Sequence, residues 1–327
     1  MMSSRGLGIC LLNVSEARNR LIIENIALAA TRSTGSSGIL SSVLNIFQDI
    51  DYNRSVLTIA APINNLKAAV CGACAEAYRQ IDLSKQEGVH PRLGAVDLIP
   101  IYPLMSSVSL KECGEVAYSI AEDLSTEIPG SSFFLFGSAD WPEQRGLVPR
   151  RKDVGWFKGK HGIDWSKFNH DLGAPPSSRY GLTGCGASHY VTNCNVTIDT
   201  QDLELGREIA HAIRATTPRG LPGIQAMAFP HEGTIEIACN VDSLPREKQS
   251  TRENDGDDTD QNCPITLDYS SPETIEQRVK ALAGEKGIGM VGTALIGFRP
   301  EEACRLAMDA LQSGNDQLWK SRGVLLM

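Results

Sequence analysis

The residue with the clearest chemical potential in this 327-residue chain is His90. It lies in Gly88-Val89-His90-Pro91-Arg92, a run that leads into the strand-like stretch Gly94-Ala-Val-Asp-Leu-Ile-Pro-Ile-Tyr-Pro-Leu104. Pro91 has a fixed φ and restricts the residue before it to extended backbone, so the chain itself sets the imidazole direction. A neutral imidazole held this way can take a proton and return it near neutral pH. Arg92 beside it suits a carboxylate. An ordinary hydrogen-bonded loop histidine carries the same spacing, and that reading stays open at this level.

A second feature is Gly173–Ser188, with glycines at 173, 181, 184 and 186 around Pro175-Pro176. Such a loop can bring backbone N–H groups close to a flat or anionic ligand. It lacks the Gly-Lys-Ser/Thr ending of a phosphate-binding loop and fits no dinucleotide fingerprint. A plain linker between subdomains is its alternative. Asp49–Thr58 sets two carboxylates and Arg54 at a strand entrance, where Asp and Asn also serve as ordinary turn residues. Cys71-Gly-Ala-Cys74 has redox spacing but falls inside a helical pattern. Thiol activation of that kind needs a helix start, so buried small residues are the better reading. His161, His170, His189, His211 and His231 are scattered without metal-ligand spacing, and no metal is expected.

The elements that must position these residues follow from periodicity. Gly6–Val14 reads as a buried strand and Glu16–Arg32 as a helix, with Ser15 as its cap. Ser41–Phe47 and Arg54–Pro62 read as strands around an Asp/Asn turn, and Asn64–Ile81 as a helix. The strand after His90, a helix over Leu110–Ile128 and the strand Phe133–Gly137 follow. The second half repeats the order: strand His189–Ile198, helix Asp202–Arg214, strands Ile224–Phe229 and Gly233–Val241, helix Pro272–Gly284, strand Ile288–Phe298 and helix Pro300–Gln312. Pro272 stands at an allowed early helix position. This predicts an α/β (α+β) fold of two tandem β-α-β-β-α-β subdomains, each a mixed sheet with helices packed on one side. The boundaries are 1–187 and 188–327. Trp141–His170 is basic, aromatic and strand-poor, with the character of a functional loop or cover. Residues 243–262 are nearly devoid of apolar side chains and read as a disordered acidic loop.

Composition bounds the classes. Lys plus Arg is 31 against 39 Asp plus Glu, a net charge of −8, which argues against a nucleic-acid partner. Nine cysteines at uneven spacing in a chain this long do not make a disulfide scaffold. No secretory signal pattern and no transmembrane run are visible, so a cytoplasmic protein without a membrane partner is expected.

Taken in order, several segments resemble the glutamate formimidoyltransferase (formiminotransferase) family, as found in the N-terminal part of formiminotransferase-cyclodeaminase. They are Asn13-Val-Ser-Glu-Ala-Arg-Asn19, Asp51-Tyr-Asn-Arg-Ser-Val-Leu-Thr58, Gly88–Pro103, Gly181–Ile198 and Gly292-Thr-Ala-Leu-Ile-Gly-Phe-Arg-Pro300. The His-Pro-Arg segment is the specific one. The resemblance covers nearly the whole chain and leaves no room for a cyclodeaminase part.

The resemblance implies two α/β subdomains with a ligand channel between them, a homodimer, and transfer of a formimino group from N-formimino-L-glutamate to N5 of tetrahydrofolate. It places the catalytic histidine on His90. It places the folate-contacting segment on Gly173, Ala174, Pro175, Pro176, Ser177, Ser178, Arg179, Tyr180 and Gly181, one residue shorter than in the family. Both ligands carry carboxylates, for which Arg54, Arg92 and Arg179 are candidates by position. The chain departs from the family at Val89, Ser188 and Ala294, and at Asn45 and Phe47, where the family has acidic residues. Those departures keep a second reading open, a folate-binding protein of the same fold with little or no turnover. A redox or scaffold role through the Cys71–Cys74 pair and the acidic loop is a third.

Overall fold

A computed structural model of the chain describes residues 6–32, 34–35, 38–156, 168–246, 264–323 and 325–326. In chain order the elements are β1 (Leu7–Val14), α1 (Arg20–Ala30), the short strands β2 (Thr34–Gly35) and β3 (Gly38–Ile39), β4 (Ser42–Asp49), β5 (Arg54–Pro62) and α2 (Ile63–Gln80). A 3-10 turn at Leu83–Lys85 precedes β6 (Val96–Pro103), α3 (Leu110–Glu127), β7 (Ser132–Gly137), α4 (Leu147–Asp153), β8 (Leu172–Gly173) and β9 (Thr183–Ala187). Then come β10 (Val191–Ile198), α5 (Leu203–Ile213), β11 (Ile224–His231), β12 (Thr234–Asp242), β13 (Leu244–Pro245) and β14 (Leu267–Asp268). The chain closes with α6 (Pro272–Gly284), β15 (Met290–Ile296), α7 (Pro300–Ser313), α8 (Leu318–Arg322) and β16 (Leu325–Leu326).

These elements form two compact units. One gathers Met1–Ser188, Asn262–Pro264 and Glu302–Met327; the other holds His189–Gln261 and Ile265–Glu301. The division is therefore not the single cut at 187/188 that the sequence suggests. The C-terminal stretch goes with the first unit because β16 pairs parallel with β4 and Trp319 joins the first unit's core.

The first unit's sheet has the order β16-β4-β5-β1-β6-β9-β7-β8. Its centre, β4-β5-β1-β6, is antiparallel, and β9 extends it by parallel pairing with β6 and β7. The second unit has the order β11-β12-β10-β15, antiparallel throughout. Numbering the strands of each β-α-β-β-α-β unit from one to four, both sheets have the spatial order 2-3-1-4. The repeat is one of topology, carried by the periodicities and not by matching residues.

Period-two alternation decides which side chains meet the helices. Cys10, Leu12 and Val14 of β1, Leu57, Ile59 and Ala61 of β5, and Ile99 and Ile101 of β6 pack with α1, α2 and α3 in one core. The alternate residues Asn13 and Arg54 are thereby turned to the opposite face. A register shift at Asn13/Val14, where β1 meets β6, accommodates Asp97 on that face as well.

Two local expectations need correction. The first helix starts at Arg20 with Asn19 as N-cap, not after Ser15. The Ser15 hydroxyl instead donates to Gly94 O at 2.7 Å, and Glu16 Oε1 accepts the N–H groups of Arg18 and Asn19. The second concerns the glycine-rich stretch, whose C-terminal part, Thr183–Ala187, is strand β9. A Cβ at Gly184 would lie 2.6 Å from the Phe134 ring and 2.8 Å from Leu98 Cδ1. Glycine there permits packing across the sheet face.

The Cys71–Cys74 pair lies within α2, as the periodicity predicts. Cys74 is fully buried, and burial foremost pushes the Cys71 thiol up to about 12. Within the basic aromatic segment 141–170, the described part contains α4 where only loop was expected. Residues 157–167 of that segment and 247–262 of the acidic stretch lie outside the described residues.

Candidate active site around His90

The site is built on three adjacent strands of the first unit. Arg54 opens β5 and reaches across β1 to β6. Its Nε and Nη2 donate to Asn13 Oδ1 at 3.1 and 2.8 Å, and Nη2 lies 2.9 Å from Asp97 Oδ2. Asn13 Nδ2 donates to Leu11 O, which aims its oxygen at the guanidinium. The Arg54 and Asp97 side chains are 12% and 2% exposed, so this ion pair is deeply placed. Asp97 Oδ1 accepts Leu93 N at 2.7 Å and Gly94 N at 3.3 Å. One carboxylate therefore anchors both Arg54 and the end of the His-Pro-Arg loop.

The β4–β5 turn supplies the floor. Asn53 adopts φ 50°, a left-handed conformation that Asn tolerates better than most residues. Its side-chain oxygen accepts Ala17 N, and its amide donates to Gln86 Oε1 and Glu87 O. Its backbone oxygen accepts Arg92 Nη1 at 3.0 Å. A cleft of about 540 Å³, lined by Glu16, Arg18, Asn19, Asn53, Lys85 and Gln86 among others, shares Asn53 with this network.

His90 is half-buried above this floor. Its ring is 5.1 Å from the Tyr52 ring and 5.9 Å, edge-on, from Trp156. Nδ1 lies 2.7 Å from Pro91 O and 3.1 Å from Arg54 Nη1. One ring nitrogen cannot donate to the carbonyl and accept from the guanidinium at once. The tautomer protonated on Nδ1 satisfies the shorter contact and leaves the lone pair on Nε2. Arg54 Nη1 can then donate to the same Pro91 oxygen at 3.4 Å. Burial, followed by the Arg54 charge, holds the imidazolium well below its usual range; Arg151 and Arg92 act in the same sense and the Pro91 carbonyl opposes them. His90 is consequently neutral at pH 7.

The candidates separate into two groups. Arg54 and Arg92 stand with His90. Arg179 pairs with Asp82 at 3.5 Å and stacks on Tyr180, with its side chain 47% exposed. Gly173 pairs with Ser132 in β8, and Ala174 N donates to Ser131 O. Pro176 is buried while Pro175 and Ser178 are exposed. Ser177 O accepts Gly181 N, and its hydroxyl accepts Tyr180 N. Gly181, at φ +69°, sits against Leu93 O, where a side chain would collide with the backbone. Tyr180 O accepts Ala95 N and Leu93 O accepts Leu182 N. The 173–181 loop is thus stitched to the segment that begins at His90.

Three contributors were not singled out from sequence. Asn13 and Asp97 lie inside quoted motifs, but only strand register shows that they meet Arg54. Arg151 lies on α4 with its guanidinium 4.5 Å over the Trp156 ring, and burial foremost lowers it to about 10. The basic aromatic character of 141–170 was the available signal. Among the described residues, no group of three or more His, Cys, Asp or Glu could hold a metal ion. No described helix is long and apolar enough to cross a membrane.

Comparison with known proteins places the chain among transferases. Residues 7–188 match the formiminotransferase domain, N-terminal subdomain, and the chain belongs to this formiminotransferase family. It is 34% identical over 254 residues to a formiminotransferase cyclodeaminase-like protein of Arabidopsis thaliana, covering 72% of this chain and 82% of the relative. It is 29% identical over 298 residues to a glutamate formimidoyltransferase of Streptococcus pyogenes serotype M1, covering 90% and 89%. Against a formimidoyltransferase-cyclodeaminase of Gallus gallus it is 27% identical over 240 residues, covering 71% of this chain and 43% of the relative.

Proposed function

We propose that the chain transfers a formimino group from N-formimino-L-glutamate to N5 of tetrahydrofolate, with His90 as the acid/base. The observation that carries this reading is the His90 Nδ1 contact set, with Pro91 O at 2.7 Å and Arg54 Nη1 at 3.1 Å. It leaves Nε2 as a neutral base inside a positively charged surround.

In this reading N5 attacks the amidine carbon and becomes positively charged. His90 Nε2 takes the N5 proton. The imidazolium so formed is destabilised by Arg54 and gives that proton to the glutamate nitrogen as the carbon–nitrogen bond breaks. The proton lost by N5 ends on the leaving amine and His90 returns to neutrality. Such proton transfer is worth ~10²–10⁴-fold in rate, and holding both substrates in register supplies much of the remainder. The Gly173–Gly181 loop, with Ala174 to Tyr180 between, is assigned to the folate. Its backbone bonds to Leu93–Ala95 support that assignment by bringing it alongside the His90 segment. No metal is required. On family resemblance the protein is a cytoplasmic homodimer acting in histidine breakdown.

The test is incubation of the protein with tetrahydrofolate and N-formimino-L-glutamate, following 5-formiminotetrahydrofolate by absorbance. Product formation supports the reading. Tight folinate binding by folded protein without product contradicts it in favour of a folate-binding protein.

A further inference from the structure

Three guanidiniums, those of Arg54, Arg92 and Arg151, act on His90, and Asp97 pairs with the first. Their commitments differ. Arg54 is held by Asp97 and Asn13. Arg92 is 9% exposed and donates to Asn53 O. Its Nη2 is buried under Gly88, where even an added methyl would collide with it and with Tyr52 O. A ligand cannot reach that atom.

Arg151 is different. It is half-buried and stacked over Trp156; the charge of Asp97 reaches it, but no ion pair within 4 Å ties it to a carboxylate among the described residues. Its neighbour Arg150 is committed to structure: Nε donates to Leu135 O at 2.9 Å, and Nη2 pairs with Asp171, which in turn accepts Leu135 N. Arg150 thereby locks α4 to β7 and fixes where the next residue on the helix points. Stacking on an indole occupies the face of a guanidinium and leaves its in-plane N–H fork open, the geometry that receives a carboxylate through two parallel hydrogen bonds. The same indole touches the His90 ring edge-on at 5.9 Å.

We propose that Arg151 binds a carboxylate of an anionic amino-acid ligand beside His90, and so selects the donor. The assignment rests on the transfer reading only for the name of the donor; the anion site itself does not need turnover.

The experiment compares wild type with Arg151→Gln and Arg151→Lys, after checking that all three unfold at similar temperatures. L-glutamate binding is measured by calorimetry. Steady-state kinetics are measured with N-formimino-L-glutamate and with formamidine, which has no carboxylate. Arg151→Gln is expected to weaken L-glutamate binding about tenfold to a hundredfold, the range for a lost charge-assisted contact. The kcat/KM preference for N-formimino-L-glutamate over formamidine should fall by a similar factor, with the loss in KM. Arg151→Lys should recover part of it. Equal losses on both donors, or a loss confined to kcat, would overturn the proposal, since Arg151 would then act through the charge on His90. If wild type shows no turnover, calorimetry still decides. Glutamate binding lost in Arg151→Gln upholds the anion site while the transfer reading fails. Wild type that does not bind glutamate, or a variant that binds it equally, overturns the site.

Discussion

Arg54 Nη1 stands 3.1 Å from His90 Nδ1, and the same guanidinium is anchored 2.9 Å from Asp97. A fixed positive charge at that position disfavours protonation of the imidazole. The acid limb of kcat/KM should therefore lie below 6.5, the usual histidine value. Arg54→Gln should move it upward, because it removes the cation and leaves the Asp97 charge uncompensated. A pH profile of both proteins checks this, and an acid limb at 6.5 in wild type contradicts the assigned environment.

The same shift bears on stability. Folding disfavours the His90 proton, so between 6.5 and the lower folded value the unfolded chain binds more protons than the native one. Stability from this group is complete above about 6.5 and is lost as pH falls toward the folded value. His90→Gln should flatten that part of the stability curve, as read by urea unfolding at a series of pH values. An identical slope in both proteins would assign the acid sensitivity elsewhere.

Asp97 anchors both Arg54 and the loop amides of Leu93 and Gly94. Removing one member of a buried pair leaves an uncompensated charge, at a cost of about 3–5 kcal/mol. Asp97→Ala should be destabilised by that order in denaturant melts. A change under about 1 kcal/mol would mean that solvent already screens the pair.

Asn45 and Thr58 face each other across β4 and β5, almost fully buried. The Asn45 amide atoms and the Thr58 hydroxyl have no hydrogen-bond partner among the described residues. Replacing an unpaired buried hydroxyl by a methyl removes a desolvation cost, so Thr58→Val should gain about 1 kcal/mol. A loss of that size would show that the hydroxyl is satisfied by buried water.

Cys71 and Cys74 offer a check on the rejected redox reading. Burial raises both thiols, Cys71 to about 12. At pH 8 they should react with a thiol reagent only as the protein unfolds, and rapid labelling of native protein would revive that reading.

Much of the scaffold was legible because it follows from periodicity. The boundaries of α6 and α3 are set by a capping residue and a change of pattern, and both fell within a residue of expectation. Asn19 displaced Ser15 as the first cap because the Ser15 hydroxyl is drawn away to Gly94, a contact 79 residues distant that no local rule contains. His90, Arg54 and Arg92 could be named from a motif. Asn13 and Asp97 stood in motifs too, yet their convergence on Arg54 depends on the order β5-β1-β6 and a register shift. Arg179 was a candidate as a cation within the folate-assigned loop, and in the structure it pairs with Asp82 and stacks on Tyr180. Arg151 comes from a short helix between β7 and β8, and it meets the His90 surroundings through Trp156.

The most direct test of the account compares single-turnover formation of 5-formiminotetrahydrofolate by wild type and His90→Ala, with folinate affinity measured on the same samples. Loss of His90 should slow the transfer by ~10²–10⁴-fold, the range for a missing acid/base group, and leave folinate affinity within about threefold, under 1 kcal/mol. Transfer at an unchanged rate in His90→Ala would contradict the role assigned to this histidine.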